Sequence, residues 1–146
     1  MVRLESSIVV RQTPEQVWGF LADPPNSVLW DRSVAELIPH SPDPAGVGYE
    51  ATTVAPSGMR QQLRITEYRP SSTLRFVLLE SSMFKRAELS FLIDHTPEGT
   101  RIVHVIELHL HRRLFYPVLR LTSKPALARD LARLKAALAE AYPSKA

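Results

Sequence analysis

The sequence contains no cysteine, which excludes disulfide staples and any chemistry that needs a thiolate as nucleophile or metal ligand. It has no apolar run approaching the ~20 residues needed to span a bilayer. The opening MVRLESSIVV carries neither the apolar stretch nor the small-residue cleavage site of a signal peptide. A soluble, cytoplasmic protein is the expectation. No glycine-rich phosphate loop is present, because Gly46-Val47-Gly48 lacks the context of a dinucleotide site. No serine sits in a Gly-x-Ser-x-Gly elbow. A concentrated charge of one sign is missing too. The net charge is +3 and the pI about 9.5, but the basic residues, mostly Arg, are spread along the chain. Nucleic-acid binding needs them clustered, usually beside exposed aromatics. No nucleic-acid partner, no cofactor and no stable membrane insertion is expected, and the oligomeric state is left open.

What is present is an ordinary globular composition, 45% hydrophobic and 23% charged over 146 residues, enough for one domain, 1–146, with a genuine core. Leu4, Ser6, Ile8 and Val10 alternate with Arg3, Glu5, Ser7 and Val9, the pattern of a half-buried strand. Thr13 as N-cap, Pro14 at the first helical position and Gln16 three residues after the cap predict a helix start. That helix carries Val17, Trp18, Phe20 and Leu21 and stops at Asp23-Pro24-Pro25. Asn26 or Ser27 can cap a second short helix through Trp30. From Val34 onward the period falls to two, predicting strands at about 33–39, 47–54, 59–68, 73–80, 85–94 and 100–111. Turn residues separate them, and short connections favour antiparallel neighbours.

The last third returns to a helical period. Leu127, Leu131, Leu134 and Leu138 form one apolar stripe in a helix expected from Leu114 to about Tyr142, with Arg129, Asp130, Arg133 and Glu140 on the opposite face. Pro125 falls inside this pattern and is expected to kink the helix or split it near Ser123. A sheet with one face to bury and a single helix about 10 Å wide leaves a gap between them, because seven strands are much wider than one helix. The fold class expected is therefore α+β: a curved seven-stranded antiparallel sheet around a long C-terminal helix, with two short helices after the first strand.

Several short motifs occur in one order along nearly the whole chain. They are Thr-Pro-Glu-Gln-Val-Trp-Gly-Phe-Leu-Ala-Asp at 13–23, Trp30, Thr66-Glu67-Tyr68-Arg69-Pro70, Gly99-Thr100-Arg101 and Leu131-Ala132-Arg133-Leu134-Lys135. Together they resemble the START/Bet v 1-like (SRPBCC) superfamily with its helix-grip fold, in particular the polyketide cyclase/dehydrase-like branch. The resemblance implies a deep, mostly apolar cavity for lipids, sterols, polyketides or other hydrophobic ligands. It implies no single reaction, since members include carriers, cyclases, co-chaperones and hydroxylase subunits.

Alternation assigns the faces. Thr100, Ile102, His104, Ile106, Leu108 and Leu110 are expected inside, as are Ala87, Leu89, Phe91 and Ile93. Met59, Gln61, Leu63 and Ile65 join them, with Leu74, Phe76 and Leu78. Candidate ligand contacts from the strands are Met59, Gln61, Phe76, Leu89, Phe91, His104 and Ile106. Trp30, Tyr49 and Leu131 complete the set, in a cavity expected between the sheet and the C-terminal helix. No catalytic residue is assigned beyond the candidate His104. Two readings stand for it: a hydrogen-bonding or acid/base group acting on a carbonyl or phenol, or a core histidine bonded to a neighbour. Glu107, His109 and His111 share the other face in the i, i+2, i+4 pattern of a metal row, but a flat outer row lacks an enclosing shell, and no metal is expected. Trp18 and Trp30 are each read as core or ligand platform, with core packing preferred for Trp18. His109 to Lys124 mixes basic and apolar residues, either an anionic-membrane contact or the amphipathic start of the long helix. The function expected is binding of a hydrophobic lipid-, polyketide- or aromatic-like molecule. The alternatives are an aromatase/cyclase-type enzyme using the same cavity, with His104 in proton transfer, and an interaction protein whose interior is filled by Phe76, Phe91 and Trp30.

Overall fold

The fold is described from a computed structural model, which defines residues 2–79, 84–111 and 116–143, with side chains over these ranges except 116–124. β1 (Val2–Val10) leads into α1 (Pro14–Leu21), a 3-10 turn (Pro24–Asn26) and α2 (Ser27–Trp30). A meander follows: β2 (Glu36–Pro39), β3 (Glu50–Val54), β4 (Arg60–Arg69), β5 (Thr73–Leu78), β6 (Phe84–Thr96) and β7 (Gly99–Leu110), then α3 (Tyr116–Ala141). The strands form one antiparallel sheet in the order β1-β7-β6-β5-β4-β3-β2.

This order makes α1 and α2 more than a connection. The chain leaves the sheet at one edge, β1, and re-enters at the other, β2. At about 4.8 Å per strand spacing, six spacings are roughly 29 Å along the sheet. The segment 11–35 must cross that width, and so becomes part of the cover. Its start is fixed by the capping box: Gln16 N donates to Thr13 Oγ1 at 3.2 Å, and Thr13 N donates to Gln16 Oε1 at 3.0 Å. Asn26 Nδ2 donates to the Phe20 carbonyl at 3.0 Å, folding the 3-10 turn back on α1.

Leu127, Leu131, Leu134 and Leu138 are all buried. The helix packs mainly on β1, with further contacts to β7, α1 and α2. Leu131, Leu134 and Leu138 join Val10, Val17, Phe20 and Ile102 in the main core, while Leu127 meets Val2 and Leu4 in a second cluster. One knot ties the corner where β1, β7 and the end of α3 converge. Buried Thr100 donates from Oγ1 to the Gln12 carbonyl at 2.6 Å, and Gln12 Nε2 donates to the Tyr142 carbonyl at 3.2 Å. Gly99 enters this corner at φ 142°, where a Cβ would stand 2.1 Å from the Val10 carbonyl oxygen, so only glycine fits there.

The expected split at Pro125 and the expected starts of β2 and β3 need correction. Pro125 does not split the helix, which is continuous from Tyr116 to Ala141. Proline removes one backbone donor, at about 3 kcal/mol in a helix interior, but the four buried leucines that follow Pro125 anchor the helix beyond it. The expected start at Leu114 lies outside the described residues. β2 begins at Glu36 and β3 at Glu50, later than the alternation suggested. Gly48 takes φ 90° and Tyr49 N bonds back to the Gly46 carbonyl, so a turn occupies the expected first residues of β3. No helix among the described residues is long and apolar enough to cross a membrane.

Leu134 is fully buried on the stripe, so Leu134→Ala should destabilise the protein by about 2–5 kcal/mol in urea unfolding. A loss below about 0.5 kcal/mol would mean that this face of α3 is not the packed one. Pro125 is exposed, so Pro125→Ala sacrifices no packing and restores a donor. It should raise stability by roughly 1–3 kcal/mol, and an unchanged midpoint would show that the helix does not use that bond.

Candidate functional site

The inward face of the sheet and the crossing segment enclose a cavity of about 280 Å³. Its floor comes from alternate residues of adjacent strands: Leu63 and Ile65 on β4, Leu74, Phe76 and Leu78 on β5, Leu89 and Phe91 on β6, and His104 on β7. Its roof is the end of α1 and the residues after it, with Leu21, Ala22, Ser27, Trp30, Asp31 and Val34. Met59 lines the cavity while 58% exposed, so it marks the mouth. The volume lies just under the 300–1,000 Å³ typical of small-molecule sites.

A row of rings crosses the floor. The His104 imidazole stacks on Phe91 with centroids 4.1 Å apart and planes at 9°. Phe91 faces Phe76 at 6.4 Å and 25°, and Trp30 meets Phe91 edge-on at 5.9 Å and 86°. The register explains the first pair, because Phe91 and His104 are direct cross-strand partners. Phe76, Phe91 and Trp30 therefore form walls of the cavity. Trp18 packs elsewhere in the core, edge-on to Tyr68 at 4.9 Å.

His104 is 4% exposed. Neither of its ring nitrogens has a hydrogen-bond partner among the described residues, so the bonded core histidine of the sequence reading is not what is seen. Burial lowers its pKa from the usual 6.5 to about 3, because desolvation penalises the imidazolium and no acid among the described residues compensates. The ring is neutral at pH 7, able to donate from one nitrogen and accept at the other. Gln61 also lines the cavity, but its Nε2 is committed to the carbonyls of Gln62 at 3.0 Å and Leu79 at 2.9 Å. Asp31, in the roof, accepts from the Ser33 backbone N–H at 3.0 Å and from its hydroxyl at 2.7 Å. Its charge contributes, after burial, to raising the pKa of Asp130 on α3; Arg133, Arg129 and Arg32 act in the opposite direction.

Of the ten candidate contacts, Trp30, Met59, Gln61, Phe76, Leu89, Phe91 and His104 line this cavity. Tyr49, Ile106 and Leu131 do not. Tyr49 packs against the main core, where burial, then the charge of Asp23, raises its pKa. Leu131 is inside that core, and Ile106 packs on the cluster of Val2, Leu4 and Leu127. The opposing wall also differs from the expectation: among the described residues it is the α1–α2 segment, with no residue of α3. Ser27, Asp31 and Ser33 were missed because nothing local marks them; only the jump from edge β1 to edge β2 brings them over the floor. Glu107 pairs with Arg3 across the β1–β7 ladder at 3.8 Å, and His109 is exposed. No grouping of three metal-ligating side chains occurs among the described residues. The membrane-contact stretch, His109 to Lys124, lies largely outside the described side chains.

Residues 1–139 match the family described as "Polyketide cyclase / dehydrase and lipid transport". The chain belongs to this polyketide cyclase/dehydrase family. Solved structures share its fold. Protein MLL2253 from Mesorhizobium loti is 17% identical with a TM-score of 0.75, and the match covers 98% of this chain and 100% of that one. Ara h 8.0201 is 9% identical with a TM-score of 0.73, covering 95% and 98%. StfQ, a di-domain ARO/CYC from the steffimycin biosynthetic pathway, is 14% identical with a TM-score of 0.73, over 96% of this chain and 52% of StfQ. A comparison with curated proteins finds no match. Within this family member the cavity is walled mainly by carbon, with one buried imidazole in its floor.

That imidazole gives a pH signature. Between about 3 and 6.5 the unfolded chain binds a proton at His104 that the native chain does not, so this group makes stability fall as pH drops through that window. At most about 1.4 kcal/mol per pH unit is involved. Denaturant midpoints of the parent protein should lose about 1–2 kcal/mol more than those of His104→Leu between pH 7 and pH 5. Parallel pH profiles for the two proteins would show that the ring is solvated or charged in the native state.

Proposed function

We propose that the chain binds a hydrophobic small molecule, polyketide-, lipid- or aromatic-like, in the cavity between the sheet and the α1–α2 roof. The observation that carries this is the combination of an apolar, ring-lined cavity with one buried and unpartnered imidazole in its floor. Apolar walls supply affinity, and a few polar groups orient the ligand. An orphaned buried nitrogen costs about 1–3 kcal/mol relative to a bonded one, and a bound hydroxyl or carbonyl would recover it.

A second reading, an aromatase/cyclase-type enzyme acting in the same cavity, draws support from the family and from the likeness to StfQ. The chemistry of His104 weighs against making it the base. A general base works best with a pKa near the working pH, and at about 3 this imidazole is a feeble proton acceptor. Its Phe91 stack and lack of an orienting carboxylate fit a hydrogen-bonding role better.

Native mass spectrometry of the purified protein should reveal a co-purified small molecule, and the neutral dye Nile red should bind and be displaced by it. His104→Leu should weaken that ligand by about 1–3 kcal/mol with little effect on fold. Equal affinity would reduce His104 to a core residue. Turnover of a poly-β-ketone by the parent, lost in the variant, would favour the enzyme.

A further inference from the structure

The roof of the cavity, like its floor, holds an unpaired polar group. The Ser27 hydroxyl, in the first turn of α2, is buried and has no hydrogen-bond partner among the described residues. It lines the same cavity as His104. Floor and roof thus each present an unsatisfied polar group to one space, and neither group is charged. A serine hydroxyl donates one bond and accepts others, and a neutral imidazole donates one and accepts one.

The charged groups around the cavity point the same way. Among the described residues that line it there is no Lys or Arg, and the single carboxylate is Asp31. An anionic ligand would leave water for an apolar enclosure with no counter-cation in that set and with a like charge in its roof. A buried, unpaired charge is strongly disfavoured. A carbonyl or hydroxyl suffers no such penalty and meets two waiting partners.

We propose that the cavity selects an uncharged hydrophobic ligand bearing a carbonyl or hydroxyl, which His104 and the Ser27 hydroxyl hydrogen-bond, and that it rejects carboxylates of the same shape. The inference rests on the reading of this cavity as a ligand site.

Three probes of nearly one shape separate the terms: 2-ethylnaphthalene, 2-acetylnaphthalene and 2-naphthoate, each titrated at about pH 7 by displacement of Nile red. The ketone should bind about tenfold or more tighter than either of the others. Its advantage over the ethyl compound should shrink in Ser27→Ala and in His104→Leu, and fall to within about twofold in the double variant. Ser27→Ala removes only a hydroxyl, so it keeps the test decisive if His104→Leu does not fold. Naphthoate binding as tightly as the ketone, or a ketone advantage that survives both substitutions, overturns the proposal while leaving the cavity as a ligand site. Failure of all three probes and of Nile red overturns both.

Discussion

An antiparallel sheet of seven strands has one apolar face, and no single helix is wide enough to cover it. Everything distinctive in this protein follows from how that shortfall is met. α3 lies mainly on β1 and reaches β7, and its leucine stripe closes that side by dense packing. The strands from β6 towards β3 are left to the short α1–α2 segment. That segment has too little apolar bulk to fill the space beneath it, so the uncovered floor becomes a cavity. The site is therefore the part of the core that the chain does not itself complete.

The topology enforces this division. Because β1 pairs with β7 while β2 forms the far edge, the connection between β1 and β2 has to cross the sheet. The Thr13–Gln16 capping box starts it and the prolines at 24 and 25 turn it. Asn26 then holds the turn against α1. These are local, sequence-near devices, yet they set the height of the roof over residues contributed by four strands.

Much of this was legible in the residues. A period of two gave the strands and their inward faces, and the 3.6-residue stripe gave the packed face of α3. Alternation says which face a residue occupies but not what covers that face at each point along the strand. Ile106 and His104 share a face, two residues and about 7 Å apart; Leu127 covers one, and the cavity meets the other. The helical stripe has the same limit: Leu131 was expected at the cavity and lies in the packed core. At Pro125 the expected split does not occur: a local propensity to break the helix is outweighed by the tertiary burial of the leucines that follow it. Nothing local marks Ser27 and Asp31 as cavity residues; their place in its lining depends on a crossing that only the strand order reveals.

His104 shows why the incomplete part of the core is the informative part. A core position between Ile102 and Ile106 would be filled most stably by another aliphatic side chain, which brings no desolvation penalty and leaves no nitrogen unpaired. The imidazole instead stacks on Phe91 through its face and leaves both nitrogens without partners among the described residues. The stacking fixes the ring, so its donor and acceptor directions are set before any ligand arrives. Preorganisation of this kind reduces the ordering that binding must impose. The same burial that disfavours the imidazolium strengthens a neutral hydrogen bond made in that dry space. A buried group left unpaired in the empty fold is easier to understand as part of a binding site than as part of a core.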